Sequence, residues 1–363
     1  MMRFLKTFDW YIIKKFLTTF VVTLSLFIII IIVFDISEKL DDFLQKEAPM
    51  SEIIFKYYFN YVPFFLNLFS PVFIFISVIF FTSKLASRSE IVATLSAGVS
   101  YKRFLRPYVI TAGLLSVLSF FLNGFIIPHS DKKRLEFENQ YIRNTNDDYT
   151  NNVHTQIRPE MYFYVEYFGK ADSIGEGVSL EQYKQHKLQS KLFARRITWN
   201  HKTDKWRLED YLIRDYKADG SQVITRGKFL DSMIPFNPDD FFRRIDDVQS
   251  FDLFELNAFI AEEKVKGNDH LDYYITDKYR RFSAPFSTFI LTVIGVCVSS
   301  KKSRGGVGLN LGIGIFISFL YLFLIQYFNT YGTTGKIYPM IAVWIPNLIF
   351  LLVALYLYKK AQK

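Results

Sequence analysis

The sequence holds a single cysteine, Cys297, so it has no internal disulfide, and a secreted scaffold stapled by several bridges is excluded. Charge is also scarce, at 22 % of the 363 residues. The scarcity is concentrated: residues 16–34, 57–83, 107–130, 282–300, 305–335 and 337–358 contain no Asp, Glu, Lys or Arg. Each stretch reaches the ~18 residues that a bilayer-crossing helix requires. A disordered chain and a simple soluble enzyme are excluded with them. Missing too are G-x-x-x-x-G-K-[ST], H-E-x-x-H and C-x-x-C, which leaves no P-loop for ATP and no familiar zinc or redox motif. His129, His154, His186, His201 and His270 stand far apart without ligand spacing and read as ordinary surface or loop histidines. No metal or other cofactor is expected. The hydrophobic stretches also lack the ionisable group that ion-coupled transporters use, which argues against a self-energised transporter.

What is abundant is apolar and aromatic: half the residues are hydrophobic, with 39 Phe and 23 Tyr. The six candidate spans fall as three, a polar block over residues 131–281, then three more. That block carries 25 basic and 27 acidic residues, a net −2, so within the total of +9 the membrane part carries +11. This weakens a nucleic-acid reading of the basicity. Outside the block, fifteen basic residues precede span 1, join spans 2 and 3, join spans 4 and 5, or end the chain. Lys39, Lys46, Lys56 and Lys336 lie on the opposite side. The positive-inside rule then puts both termini in the cytoplasm and the polar block outside. The first apolar run is too long for a signal peptide, and Phe34-Asp35-Ile36-Ser37 offers no small-x-small cleavage site, so the run should remain as an anchor. Beyond it, Ile36, Leu40, Phe43 and Leu44 recur at helical spacing and predict an amphipathic continuation.

Within the polar block, residues 160–168, 188–200, 205–216 and 221–233 are rich in aromatic and β-branched side chains, and polar turns separate the last three. They predict an antiparallel meander. Residues 205–216 alternate Trp206, Leu208 and Leu212 against Arg207, Glu209 and Asp215, as one buried face requires. In residues 160–168, Met161, Phe163 and Val165 on one face and Tyr162, Tyr164 and Phe168 on the other make both sides apolar, which suits either an ordinary core or a sandwich that admits an acyl chain. Residues 253–266 read as a helix that ends at Gly267.

Two segments invite a functional reading. Residues 87–98, on the cytoplasmic side by charge, are too short and polar to cross a membrane. Ser87 and Glu90 fit a capping box, Ile91 and Leu95 form an apolar pair, and Gly98 supplies the stop. The resulting short helix either rests on the bilayer surface or docks in a groove of a cytoplasmic motor. Gly308 and Gly312 form G-x-x-x-G in span 5, which suits a packing seam or a dimer face, the seam being the simpler expectation. Asn67, Asn123, Asn310, Gln326 and Asn347, within or beside the spans, are expected to hydrogen-bond between helices.

The chain resembles the LptF/LptG permease family, the membrane subunits of the lipopolysaccharide-exporting ABC transporter. Phe8-Asp9-Trp10-Tyr11-Ile12-Ile13-Lys14 is similar to the family's opening L-D-R-Y-I-x-K, and Arg88-Ser89-Glu90-Ile91 through Ser96-Ala97-Gly98 to its R-S-E-[LI]…[AS]-[SA]-G. Ile127-Pro128 with Lys133-Arg134, and Tyr279 through Phe286, look like its stretches at the end of span 3 and the start of span 4. The resemblance implies an α-helical polytopic membrane protein with an inserted all-β, jellyroll-like periplasmic domain. Helices 1–3 would occupy residues 1–130, the β-domain 131–250, a helical connector 251–281, and helices 4–6 residues 282–363.

It further implies a bacterial inner-membrane subunit paired with its F or G paralogue, on an LptB-like cytoplasmic ATPase dimer. Lipopolysaccharide would pass between the two permeases, by gates at spans 1 and 5, to an LptC/LptA jellyroll bridge. Arg88, Glu90, Ile91, Leu95 and Gly98 would form the ATPase-coupling helix. Phe34, Lys39 and Phe163 are the candidates for the lipid path. Family members hold basic residues near the outer end of span 1, whereas this sequence reads Asp35-Ile36-Ser37-Glu38-Lys39-Leu40, with Lys39 as the one cation among acids. The resulting expectation is a non-enzymatic permease. Its alternatives are a permease or force-transmitting subunit of another ABC exporter and, from a different class, a membrane-bound enzyme that would need a nucleophile–base pair absent from the motifs.

Overall fold

The computed structural model describes residues 6–142, 149–170, 172–185, 187–217, 220–232, 234, 236–242, 245–268, 270–301 and 305–361. His186, Arg3, Lys302, Arg304 and Lys363 lie outside them. Among the described residues, six helices are long and apolar enough to cross a membrane. The first is α1 (Thr7–Gln45), 39 residues long, or about 58 Å at 1.5 Å per residue, well beyond a ~30 Å hydrocarbon core. The amphipathic continuation is therefore part of span 1 itself. The second span joins α2 (Met50–Glu52), a π-helical stretch Ile53–Tyr58, and α3 (Phe59–Ser87). A short α4 (Glu90–Ser96) leads to α5 (Tyr101–Phe121), a second π-helical stretch Leu122–Ile126, and α6 (Ile127–Tyr141). Helix thus continues past the charge-free stretch to Tyr141, through residues 131–141 that the sequence assigns to the β-domain. After the β-domain come α7 (Leu253–Lys266), α8 (Leu271–Ser299), α9 (Gly306–Thr333) and α10 (Pro339–Ala361).

The chain divides into two compact units. In the first, built from the spans, association relies on side-chain packing and hydrogen bonds, because lipid tails are as apolar as the helices. One core gathers Ile12 and Phe16 of α1, Phe81 and Leu85 of α3, Ile91 of α4, and Phe104 and Tyr108 of α5. Three of the five polar residues expected to bridge helices, Asn67, Asn310 and Asn347, do so. Ser119 Oγ donates to Asn67 Oδ1 at 2.7 Å, Asn310 Nδ2 to Ser83 Oγ at 2.9 Å, and Asn347 both accepts from Tyr321 at 2.8 Å and donates to the Ser283 carbonyl at 3.0 Å.

The second unit is a six-stranded antiparallel meander in the order β1 to β6: β1 (Tyr149–Arg158), β2 (Met161–Gly169), β3 (Ile174–Lys184), β4 (Lys187–Asn200), β5 (Lys205–Tyr216) and β6 (Gln222–Ser232). Four of these match predicted strands; β1 and β3 do not. Phe163, Val165, Phe168, Val178, Ala194, Ile197, Trp206 and Leu208 form the core. The chain beyond β6 folds back over it, so that Ile234, Phe236 and Phe241 are buried with the strand residues. Phe241 stacks on Phe168 with ring centroids 4.1 Å apart, and Trp206 Nε1 donates to the Phe236 carbonyl at 2.6 Å.

Strict alternation fails at one place common to all six strands. Pairing is interrupted along a row formed by Asn152, Glu166, Gly177, Arg195, Asp210 and Lys228. Asn152, Gly177 and Asp210 take positive φ there, of 53°, 65° and 50°. Two successive residues then point outward, and the inward face changes parity. In β5, Tyr211 and Ile213 join the core rather than Leu212; in β2, Phe168 joins Phe163 and Val165, while Tyr162 is 45 % exposed. Gly175 is required by close approach, since a Cβ there would lie 2.7 Å from Ile197 Cγ2. Between β3 and β4, Lys191 donates to Glu181 at 2.7 Å, and this bond holds the Glu181 carboxyl below the ordinary glutamate range. A carboxyl depressed on folding contributes stability at neutral pH that fades as pH falls through its folded value.

Candidate functional site

The short helix α4 is built differently from its sequence expectation. Its N-cap is Ser89, in the left-handed region at φ 61° and without a side-chain cap bond. Ser87 donates instead to the Lys84 carbonyl at 2.9 Å. The expected Ser87–Glu90 capping box is thus absent, because α3 runs on to Ser87 and claims its hydroxyl. Gly98 ends the segment as expected, with φ 85° and its N–H donating to the Leu95 carbonyl.

Ile91 is 2 % exposed and lies in the core with Ile12 and Phe16, and Leu95 packs partly buried against the same core. Both anchor α4 to the spans. The large apolar side chain exposed on α4 is Val92, at 53 %, a residue the Ile91–Leu95 spacing passes over. Arg88 is exposed and Glu90 half-buried. Tyr11 OH donates to Glu90 Oε2 at 3.3 Å, tying the first residue of α4 to span 1.

A stronger tie lies beside it. Arg103 grips the Asp9 carboxylate with both terminal nitrogens, each at 2.6 Å, and the Lys6 backbone N–H donates to the same group at 2.8 Å. Asp9 is fully buried. A two-pronged Arg–carboxylate pair fixes orientation as well as distance, so the start of α1 is locked to the start of α5. The two residues are 94 positions apart, and nothing local in the sequence signals their meeting. At this end of the bundle, one small exposed helix is fastened to spans 1, 2 and 3 together.

A family model described as the lipopolysaccharide export system permease LptF/LptG matches residues 10–360. The chain belongs to the LptF/LptG family. No curated protein matches it. Family membership makes it a multi-pass membrane protein of the permease type, with an all-β domain inserted between spans 3 and 4.

The three lipid-path candidates sit in unlike surroundings. Phe34 projects from α1 at 70 % exposure, within a run that also exposes Ile29, Ile30 and Val33. Lys39 is turned inward: its ammonium lies 2.8 Å from Asp35 Oδ1, donates to the Tyr57 hydroxyl, and faces the Tyr57 and Tyr61 rings at 4.8 and 5.4 Å. Asp35 is 4 % exposed and also accepts from the hydroxyls of Tyr57 and Tyr58. A Lys39→Glu change would therefore set a second carboxylate against a buried one, and its effect on export would be mixed with a local fold defect. Phe163 is 1 % exposed, beneath Phe236 and Phe241.

Among the described residues, the G-x-x-x-G of span 5 packs against no other helix. A Cβ added at Gly308 or Gly312 would meet nothing within 4 Å, whereas one at Gly314 would collide with Ile79 of α3. Gly314 is the small residue that brings α9 and α3 together.

Proposed function

We propose that this chain is a non-enzymatic permease subunit of an ABC transporter that extracts lipopolysaccharide from the bacterial inner membrane, driven by ATP hydrolysed on an LptB-like cytoplasmic dimer. It pairs with its LptF or LptG paralogue and delivers the lipid to an LptC/LptA bridge. The observation that carries the reading is the fastening of α4 to span 1 through Tyr11–Glu90 and the shared Ile91–Ile12–Phe16 core. A push on α4 then reaches the helix that exposes Ile29, Ile30, Val33 and Phe34, the apolar wall suited to acyl chains.

The test is purification of the complex in mild detergent, followed by mass spectrometry for a separate ATPase and for retained lipopolysaccharide. Absence of a co-purifying ATPase would overturn the motor-driven reading, and an ATPase with a different lipid would leave another exporter. Val92→Asp, on the exposed side of α4, should lower recovery of the ATPase by about tenfold or more, as removal of an interface anchor does, with the spans intact. Unchanged recovery would move the docking surface away from α4.

The charge distribution supports both termini in the cytoplasm and the β-domain in the periplasm. Cysteines placed at His201 and Lys301 in a Cys297→Ser background should label oppositely in intact cells, His201 with impermeant reagent and Lys301 only after permeabilisation. The reverse pattern would invert the topology.

A further inference from the structure

A cavity of about 330 Å³ lies inside the helical bundle, bounded by α3, α6, α8, α9 and α10. Its walls are mostly apolar but carry four asparagines, Asn67, Asn123, Asn329 and Asn347. Four charged residues, Asp131, Asp277, Arg280 and Arg281, also face it. Asp277 is engaged by Arg280 and by Arg281, the latter through Nε at 3.0 Å. Asp131 differs. It is fully buried, and while its Oδ1 accepts from Arg134 Nε at 3.0 Å, its Oδ2 has no hydrogen-bond partner. A buried carboxylate oxygen at a cavity wall requires a donor from whatever fills the cavity.

Charge and depth narrow the class of occupant. Two acids and two arginines leave the wall formally neutral, a balance that a polyanion or a lone cation would upset and a zwitterion would keep. Charge-free sequence ends at Ser130 and resumes at Phe282, so Asp131, Arg280 and Arg281 stand at the hydrocarbon boundary, where lipid headgroups lie. Asn67 and Asn347 are each ten residues inside their charge-free stretches, about 15 Å deeper at the helical rise. Over that depth Leu68, Leu322 and Ile325 supply an apolar wall. Arg280, exposed at the rim, retains guanidinium donors beyond the one it gives Asp277.

We propose that this cavity binds the headgroup of a zwitterionic aminophospholipid of the phosphatidylethanolamine class. The primary ammonium donates to Asp131 Oδ2, the phosphate rests on Arg280, and the first acyl carbons follow Leu68, Leu322 and Ile325. The proposal does not depend on the export reading. Its role is that of a bound membrane lipid holding α3, α6, α8 and α9 in register.

The full chain, washed free of lipid in detergent, is incubated with equimolar phosphatidylethanolamine, phosphatidylcholine and phosphatidylglycerol and examined by native mass spectrometry. Phosphatidylethanolamine should be retained about tenfold over either competitor, the worth of one charge-assisted hydrogen bond, because the choline group has no N–H to donate. Asp131→Asn should abolish that preference. Gln326→Trp, which fills the exposed rim of the cavity on α9, should lower phosphatidylethanolamine occupancy. Equal retention of the three lipids overturns the proposal, as does a preference for phosphatidylglycerol. So does a phosphatidylethanolamine preference that survives in monodisperse Asp131→Asn. Should that variant fail to fold, undiminished occupancy in Gln326→Trp overturns it equally.

Discussion

Replacing Arg103 by alanine should destabilise the helical unit by about 2–4 kcal/mol, because it strands the buried Asp9 carboxylate with a single backbone donor. The figure is set below that of a fully buried pair because the Arg103 side chain keeps 28 % of its surface in contact with solvent. Thermal unfolding in detergent checks it. Arg103→Lys restores charge without the two-pronged contact and should recover only part of the loss. On the proposed function the same change also loosens span 1 from the end that receives force. ATP hydrolysis by the assembled complex should then stay within about twofold while lipid release falls by about tenfold or more, a split that corresponds to at least ~1.4 kcal/mol of lost coupling. Loss of both activities in proportion would mean that the pair serves assembly alone.

The second large effect is expected in the β-domain. Trp206 is 1 % exposed, packs against Phe168 and Trp199, and donates to the Phe236 carbonyl. Trp206→Ala removes the bulk and orphans that carbonyl, for an expected cost of about 3–5 kcal/mol. Hydrogen exchange on the full chain should show faster exchange across β2 to β5 and earliest of all at Phe236 and Phe241, whose cover depends on it. Trp206→Phe keeps most of the volume and should cost less. A uniform loss of protection that includes the transmembrane helices would contradict the division into two separately packed units.

The sequence made the six spans legible because a charge-free run of sufficient length has few alternatives in lipid. Strands β2, β4, β5 and β6 were legible through their aromatic and β-branched residues. Strand β1 escaped because Thr150, Asn151, Asn152, His154 and Gln156 give it little apolar content, and β3 because Gly175, Gly177, Glu176 and Glu181 resemble turn composition. Both are made strands by neighbours, the tertiary override to which β-propensity is prone. At the candidate site, spacing located α4 and its stop at Gly98 but misjudged which side faces out. Ile91 and Leu95 are apolar because they anchor the helix, and Val92 is left outside. Asp9–Arg103 and Tyr11–Glu90 join segments distant in sequence, and a periodicity argument has no access to them. Lys39 stands out in the sequence for its charge, and only the fold reveals the carboxylate and tyrosines already around it.

The row from Asn152 to Lys228 gives the β-domain a property that no single strand possesses. Each strand is written in two frames, odd-inward on one side of the crease and even-inward on the other, or the reverse. Deleting one residue at the crease would merge the frames of that strand alone, and if its neighbours kept the crease and held it in their register, half of it would turn inside out, exposing Trp206 and Leu208 in β5 or else Tyr211 and Ile213. Such a deletion is tolerable only if the strands on either side shift with it, since each is paired across the same crease. The domain should therefore accept substitutions at Glu166, Arg195 and Lys228, where side chains point outward, but not at Gly177, where φ is positive and a Cβ would meet Glu166, and it should reject changes of length along the line. Natural variation in the length of this domain is to be looked for in its turns.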